Sequence, residues 1–192
     1  SEISALGACK AALEWAEAYD SIEEAWAACK RGDWMLWRAG RVAGPPESTS
    51  RKKLLLAACE CVRLALAYVP VGEEGLLKAI ELTEAWAKGQ NGVTLEDVAA
   101  AYDAVYALGA AANVAYAVSG AENATAAKAL VDAIVWVTST TFDDVANAVA
   151  VAIKWATVAA ADTTAAAESI TLALCADIVR KHYPLPPEKE TK

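Results

Sequence analysis

The sequence predicts an all-α protein: an Ala-rich multi-helix bundle of helical hairpins with an internal repeat. Three observations carry that expectation. The chain is 56% hydrophobic, much of it alanine, which has the highest helix propensity and adds little side-chain volume. A hydroxyl residue followed by two acids recurs as Ser-Ile-Glu-Glu at 21–24, Thr-Leu-Glu-Asp at 94–97 and Thr-Phe-Asp-Asp at 141–144. Each is the pattern of a helix N-terminus, with acids at the positive end of the helix dipole. No segment alternates as a strand does, and even the β-branched run 134–141 continues an Ala-rich helix.

Taken in order, residues 9–19 read as a helix with Leu13, Trp15 and Ala16 near its inner face, broken at Asp20-Ser21. Ser21 and Glu24 form a capping box for a second helix. That helix is expected to run to about Arg31, with Lys30 and Arg31 in its last turn and Gly32 as a left-handed stop. Asp33 is then expected to cap a short helix over 34–41. Residues 44–50, with Pro45-Pro46, form the clearest linker. Ser50 is placed as the cap of a helix from 51 to about 68, stopped by Pro70. Its Leu54, Leu55, Leu56, Cys59, Val62 and Leu66 cover more than one face, which makes it central. Residues 73–88 form another helix, ended between Gly89 and Gly92. The 94–99 and 141–146 copies lie 47 residues apart and start long helices over 95–118 and 142–160. These pair with helices over 122–138 and 164–182, a spacing suited to helical hairpins. The domain reading is one helical domain over 1–183, with a hairpin at 1–43, the linker at 44–50 and a body at 51–183. A disordered tail is expected over 184–192, because Pro184, Pro186 and Pro187 forbid helix.

Charge narrows the function classes. The net charge is −8, which argues against a general nucleic-acid binder. Residues 30–63 nevertheless hold eight bases against three acids, whereas 91–179 hold two bases against ten acids. Such asymmetry marks either an anion site or two halves that attract each other. The five cysteines have no framework spacing and there is one histidine, so no metal site and no cofactor are expected, and reduced, buried thiols fit a cytoplasmic protein. The Ala/Val-rich stretches are too polar to span a bilayer comfortably, and no secretory signal pattern is present. With no Ser/His/Asp set, no Gly-rich phosphate loop and no Cys with a His partner, no catalytic residues are expected.

The most specific stretch is 29–41, which holds two of the seven Trp, the only Met and four of the 17 bases. Trp34, Trp37, Arg38 and Arg41 fall at i, i+3, i+4 and i+7 and share one helical stripe. Trp stacks on planar rings and Arg pairs with phosphate oxygens, while the same two residue types are enriched in protein hot spots. A core Trp pair with Arg stems lying over it is the plain structural alternative. Lys30, Arg31, Arg51 and Arg63 complete the candidate ligand-binding set, since Arg51-Lys52-Lys53 at a helix N-terminus calls for a nearby anion. Tyr102, Tyr106 and Asn113 form a secondary pocket candidate on the long helix.

Residues 7–15 and 24–37, centred on Gly32-Asp33-Trp34-Met35-Leu36-Trp37, and residues 175–180 resemble a family of helical bacterial and phage proteins labelled as immunity proteins. The resemblance implies a non-enzymatic neutraliser that binds a toxin or a host defence protein. By analogy, the phage setting also implies a sponge that sequesters a nucleotide-derived immune signal, cyclic ADP-ribose-like or a cyclic dinucleotide, and a homo-oligomer. The leading expectation is the sponge, with Trp34 and Trp37 stacking and the bases holding phosphates. A toxin-neutralising immunity protein is the alternative, and a helical assembly protein the second alternative.

Overall fold

The computed structural model of the chain describes residues 2–45, 47–66, 73–90, 92–101, 103–104 and 165–188. Every regular element among them is an α-helix, so the protein is all-α. The helices are α1 (Glu2–Ala5), α2 (Lys10–Ala16), α3 (Ile22–Ala28), α4 (Gly32–Val42), α5 (Thr49–Leu66), α6 (Glu73–Ala87) and α7 (Ala165–His182), with a further helical stretch at 95–101. The second copy of the repeat, the helices expected over 122–138 and 142–160, and Tyr102, Tyr106 and Asn113 lie outside the described residues, as does the end of α5 expected at Pro70.

Helix α5 is the axis of the core and packs against α4, α6 and α7, while α4 also packs on α7. Leu54, Leu55, Cys59 and Val62 of α5 are fully buried, and burying each leucine is worth ~1.5–3 kcal/mol. They meet Met35 and Leu36 of α4, Ile80 and Trp86 of α6, and Cys175 and Val179 of α7. Ala57, Ala58, Ala79 and Ala176 are also buried, so small residues let the helices approach where few large ones are available. Thr83, buried in α6, donates its hydroxyl to the Ala79 carbonyl at 2.8 Å, which satisfies a polar group inside the core.

Several helix ends follow from local sequence. Ser21 Oγ accepts the Glu24 amide at 3.1 Å, and Glu24 reaches back to the Asp20 amide at 3.3 Å. Thr94 and Asp97 exchange the same kind of bonds, amide to side chain in both directions. Helix α6 ends in a Schellman pair, Gln90 N–H to Ala85 O and Gly89 N–H to Trp86 O, each 2.9 Å. Gly89 sits there at φ +66°, the left-handed conformation that disfavours other residues.

Four expectations are corrected, the first two by tertiary contacts with α7. Helix α3 stops at Ala28 and Cys29 is extended, leaving Lys30 and Arg31 beyond its last turn. The reason is Arg180 of α7, whose Nη1 donates to the carbonyls of Cys29 at 2.7 Å and Trp26 at 3.2 Å and so caps the helix from outside. Gly32 is no left-handed stop: it opens α4 and is buried against α7, where a Cβ would lie 2.4 Å from Cys175 Cβ. Asp33 lies inside the first turn of α4 rather than at its cap. At α5 the capping hydroxyl is Ser48, which accepts the Arg51 amide at 3.1 Å; Ser50 instead accepts the Gly44 amide at 2.9 Å.

The Pro-rich segment after α7 is non-helical, as expected, but its described part is held in place. Tyr183 is buried, its carbonyl accepts the Trp26 indole N–H at 2.9 Å, and its hydroxyl donates to Ser50 O at 3.0 Å. Pro187 O accepts from Arg38 Nη2 at 3.3 Å. No described helix is long and apolar enough to cross a membrane.

Candidate functional site

Helices α2, α3 and α4 bring four tryptophans to one place. The acid-rich cap at Ser21 starts α3 and sets Trp26 toward the core, and the close approach of Gly32 to α7 fixes the start of α4. Trp34 then meets Trp15 of α2, and Trp37 lines the same cleft. Together Trp15, Trp26, Trp34 and Trp37, with Cys29, Met35 and Arg38, line a cleft of about 50 Å³ whose walls are almost wholly apolar. Trp15 meets Trp34 edge-on, with ring centroids 5.8 Å apart, and Tyr19 lies 4.9 Å from Trp15. Edge-on aromatic pairs of this kind are favourable beyond their buried area. Trp15, Trp34 and Trp37 are half-buried, so the rings are neither core nor free surface: they form the wall of an opening.

The candidate bases take separate partners. Arg31 makes a two-pronged ion pair with Asp33, at 2.8 and 2.6 Å, and its guanidinium lies 4.5 Å over the Trp34 ring. Arg38 is only 5% exposed and bonds to the Pro187 carbonyl. Arg41 leaves the cleft and donates to Leu6 O at 3.2 Å. Arg51, 7% exposed, donates to Gly44 O at 3.2 Å. Arg63 pairs with Glu84 at 2.9 Å, a carboxylate whose hydrogen bond raises the guanidinium above its ordinary value against the opposing effect of burial. Lys30 is exposed beside the cleft. The stripe read from the sequence therefore divides: Trp34, Trp37 and Arg38 share the cleft, while Arg41, Arg51 and Arg63 do not line it. The charge run that opens α5 meets ring faces as well as acids, with Lys52 4.9 Å over Trp86 and Lys53 4.8 Å over Tyr183.

Trp15 and Trp26 were absent from the predicted site. Their signal was present, because four of the seven tryptophans fall within the first 37 residues; the helical stripe drew attention to one helix and away from its neighbours.

Of ionisable side chains the cleft is lined by one thiol and one guanidinium. Its one thiol, Cys29, is pushed up by burial, which disfavours the nucleophilic thiolate. Elsewhere Cys59 is raised by burial, and Cys61 by contact with the Cys175 thiol and by burial. Among the described residues no three His, Cys, Asp or Glu side chains gather as a metal site would require. His182, at the far side of α7, is bonded to Glu60 at 2.8 Å. No protein-family model matches the chain, nor does any curated protein or solved structure.

Proposed function

We propose that this protein is a non-catalytic protein-binding module of the immunity type, which neutralises its target by taking an apolar side chain of the partner into the tryptophan cleft. The cleft itself carries the reading. A volume of about 50 Å³ suits the tip of one side chain, whereas pockets for nucleotide-sized ligands run to ~300–1,000 Å³. Apolar walls beside an Arg–Trp stack have the composition of an interface hot spot.

The nucleotide-sponge reading has less support. It needs several cations open to one set of phosphates, and Arg38 and Arg51 are buried while Arg63 serves an ion pair. The two readings separate in one experiment. The polypeptides encoded beside this gene are titrated into the protein, and a cyclic ADP-ribose and a cyclic dinucleotide are titrated in parallel. A neighbouring polypeptide is expected to bind, and Trp37→Ala to weaken it by ~30-fold or more, the scale of a hot-spot truncation. Thermal unfolding of Trp37→Ala checks that the fold survives. Uptake of either nucleotide, released intact on denaturation, overturns the proposal in favour of the sponge.

A further inference from the structure

Beside the tryptophan cleft lies a second hollow of about 330 Å³, floored by Ile3, Leu13, Ala16 and Ile22. It shares Ile3, Ala16, Ile22 and Ala25 with the cleft, so the two are separate hollows that adjoin on one surface groove along α1, α2 and α3. The outer end of the groove has a charge of its own. Glu17 and Asp20, in the turn between α2 and α3, line the hollow, and no Lys or Arg is among its lining residues. Residues 1–28 hold six acids against Lys10 alone, opposite in sign to the basic stretch that follows.

From this groove we infer the chemistry of the partner, an inference that rests on the protein-binding reading above. The occupant is a cationic amphipathic segment of another polypeptide. One apolar anchor enters the tryptophan cleft, further apolar residues cover Ile3, Leu13 and Ile22, and Lys or Arg side chains face Glu17 and Asp20. The argument is complementarity of two kinds at once. An apolar floor with a polar rim is the usual receptor for an amphipathic helix; the acids at the Glu17 and Asp20 end select cations and speed encounter, while Arg31 and Arg38 border the tryptophan end, which takes the apolar anchor. An acidic segment would set its charges against Glu17 and Asp20.

The test uses two Trp-free synthetic amphipathic helical peptides with one leucine pattern, bearing Lys or Glu on the polar face, and reads the tryptophan emission of the protein. The Lys peptide is expected to bind saturably, at least about tenfold more tightly than the Glu peptide, and to weaken as salt rises from about 50 to about 300 mM. Glu17→Lys with Asp20→Lys is expected to invert the preference. Both positions are exposed and Glu17 is the C-cap of α2, where a cation is favourable; Glu17→Gln with Asp20→Asn is a milder pair that abolishes the preference without inverting it. Equal binding of the two peptides, lost in Trp37→Ala, overturns the charge assignment and leaves the protein-binding function standing. Failure of both peptides while a neighbouring-gene polypeptide still binds overturns the cationic-helix occupant alone. Failure of peptides and polypeptides together removes the function it rests on. Self-association of the protein in sedimentation, relieved by the charge reversal, gives the groove to a second copy and also overturns the inference.

Discussion

Gly32→Ala tests the contact on which the site is built. Gly32 opens α4 with its backbone against α7, and a Cβ placed there would stand 2.4 Å from Cys175 Cβ and 2.7 Å from both Ala176 N and Cys175 C. Two of these atoms are backbone and the third is fixed to it, so no rotamer change relieves the clash. Ordinary contact begins near 3.4 Å, so the start of α4 must move from α7 by about 1 Å. Overpacking of this kind costs ~1–3 kcal/mol. The helix-propensity gain of Ala over Gly, up to ~1 kcal/mol in a helix interior, is reduced at a first position. The loss that remains, ~1–2.5 kcal/mol, lowers the melting temperature of a chain this long by ~2–10 °C. Urea unfolding followed by circular dichroism measures it, and tryptophan emission should shift as well, because Trp34 and Trp37 ride on the displaced helix. Gly89→Ala is the contrast: nothing lies within 4 Å of its Cβ, so the left-handed conformation alone costs ~1–2 kcal/mol and the emission stays unchanged. A Gly32→Ala protein as stable as the parent, with the same emission, refutes the close approach of α4 to α7.

Three further outcomes follow from the same packing. Arg180→Met keeps the stem but removes the bonds to the Trp26 and Cys29 carbonyls; a loss of ~1.5–3 kcal/mol is expected in urea unfolding, and no measurable loss would mean that α3 ends by itself. Tyr183→Phe keeps the ring under Lys53 and deletes the bond to Ser50 O, for a loss of ~0.5–1.5 kcal/mol, and protease cleavage after α7 should quicken. Burial raises the Glu60 carboxyl, but hydrogen bonds from Lys181 and His182 outweigh it and leave the group below its ordinary value. A carboxyl lowered by folding binds its proton more tightly in the unfolded chain, so its stabilisation is complete above the ordinary carboxylate value and is lost as pH falls through the folded one. Stability measured across that acid range should decline more steeply in the parent than in Glu60→Gln, and parallel curves would exclude Glu60.

The parts of the fold legible in the sequence are those decided within a few residues. Ser21–Glu24 and Thr94–Asp97 cap because donor and acceptor are three positions apart, and Gly89 ends α6 by its own backbone freedom. Leu54, Leu55, Cys59 and Val62 of α5 identify a buried axis because they crowd more than one face. Expectations failed where α7 decides: Arg180 ends α3 early, and the backbone at Cys175 and Ala176 dictates glycine at position 32 for closeness rather than for turning. Those partners lie at the other end of the chain and leave no local mark. The site was half legible for the same reason. Trp34 and Trp37 share a helix and a stripe, whereas Trp15 and Trp26 join them only once three helices pack, and a backbone carbonyl that will accept from an arginine has no signature in sequence.

The arginines show why composition alone misdirected the site. Arg38 donates to Pro187 O, Arg41 to Leu6 O, Arg51 to Gly44 O and Arg180 to Trp26 O and Cys29 O. All these acceptors lie at helix ends or in connections, where the helical ladder leaves carbonyls to be satisfied by other groups. In an Ala-rich chain a long Arg stem also supplies apolar contact that small residues cannot. Tryptophan and arginine, grouped by the sequence as one ligand-binding stripe, thus divide their work: the arginines close the frame and the tryptophan rings shape the opening within it. The division reverses what the stripe alone predicts for substitutions. Arg38→Ala, which removes a guanidinium buried under the C-terminal segment, should lower stability, whereas Trp37→Ala should fall chiefly on binding.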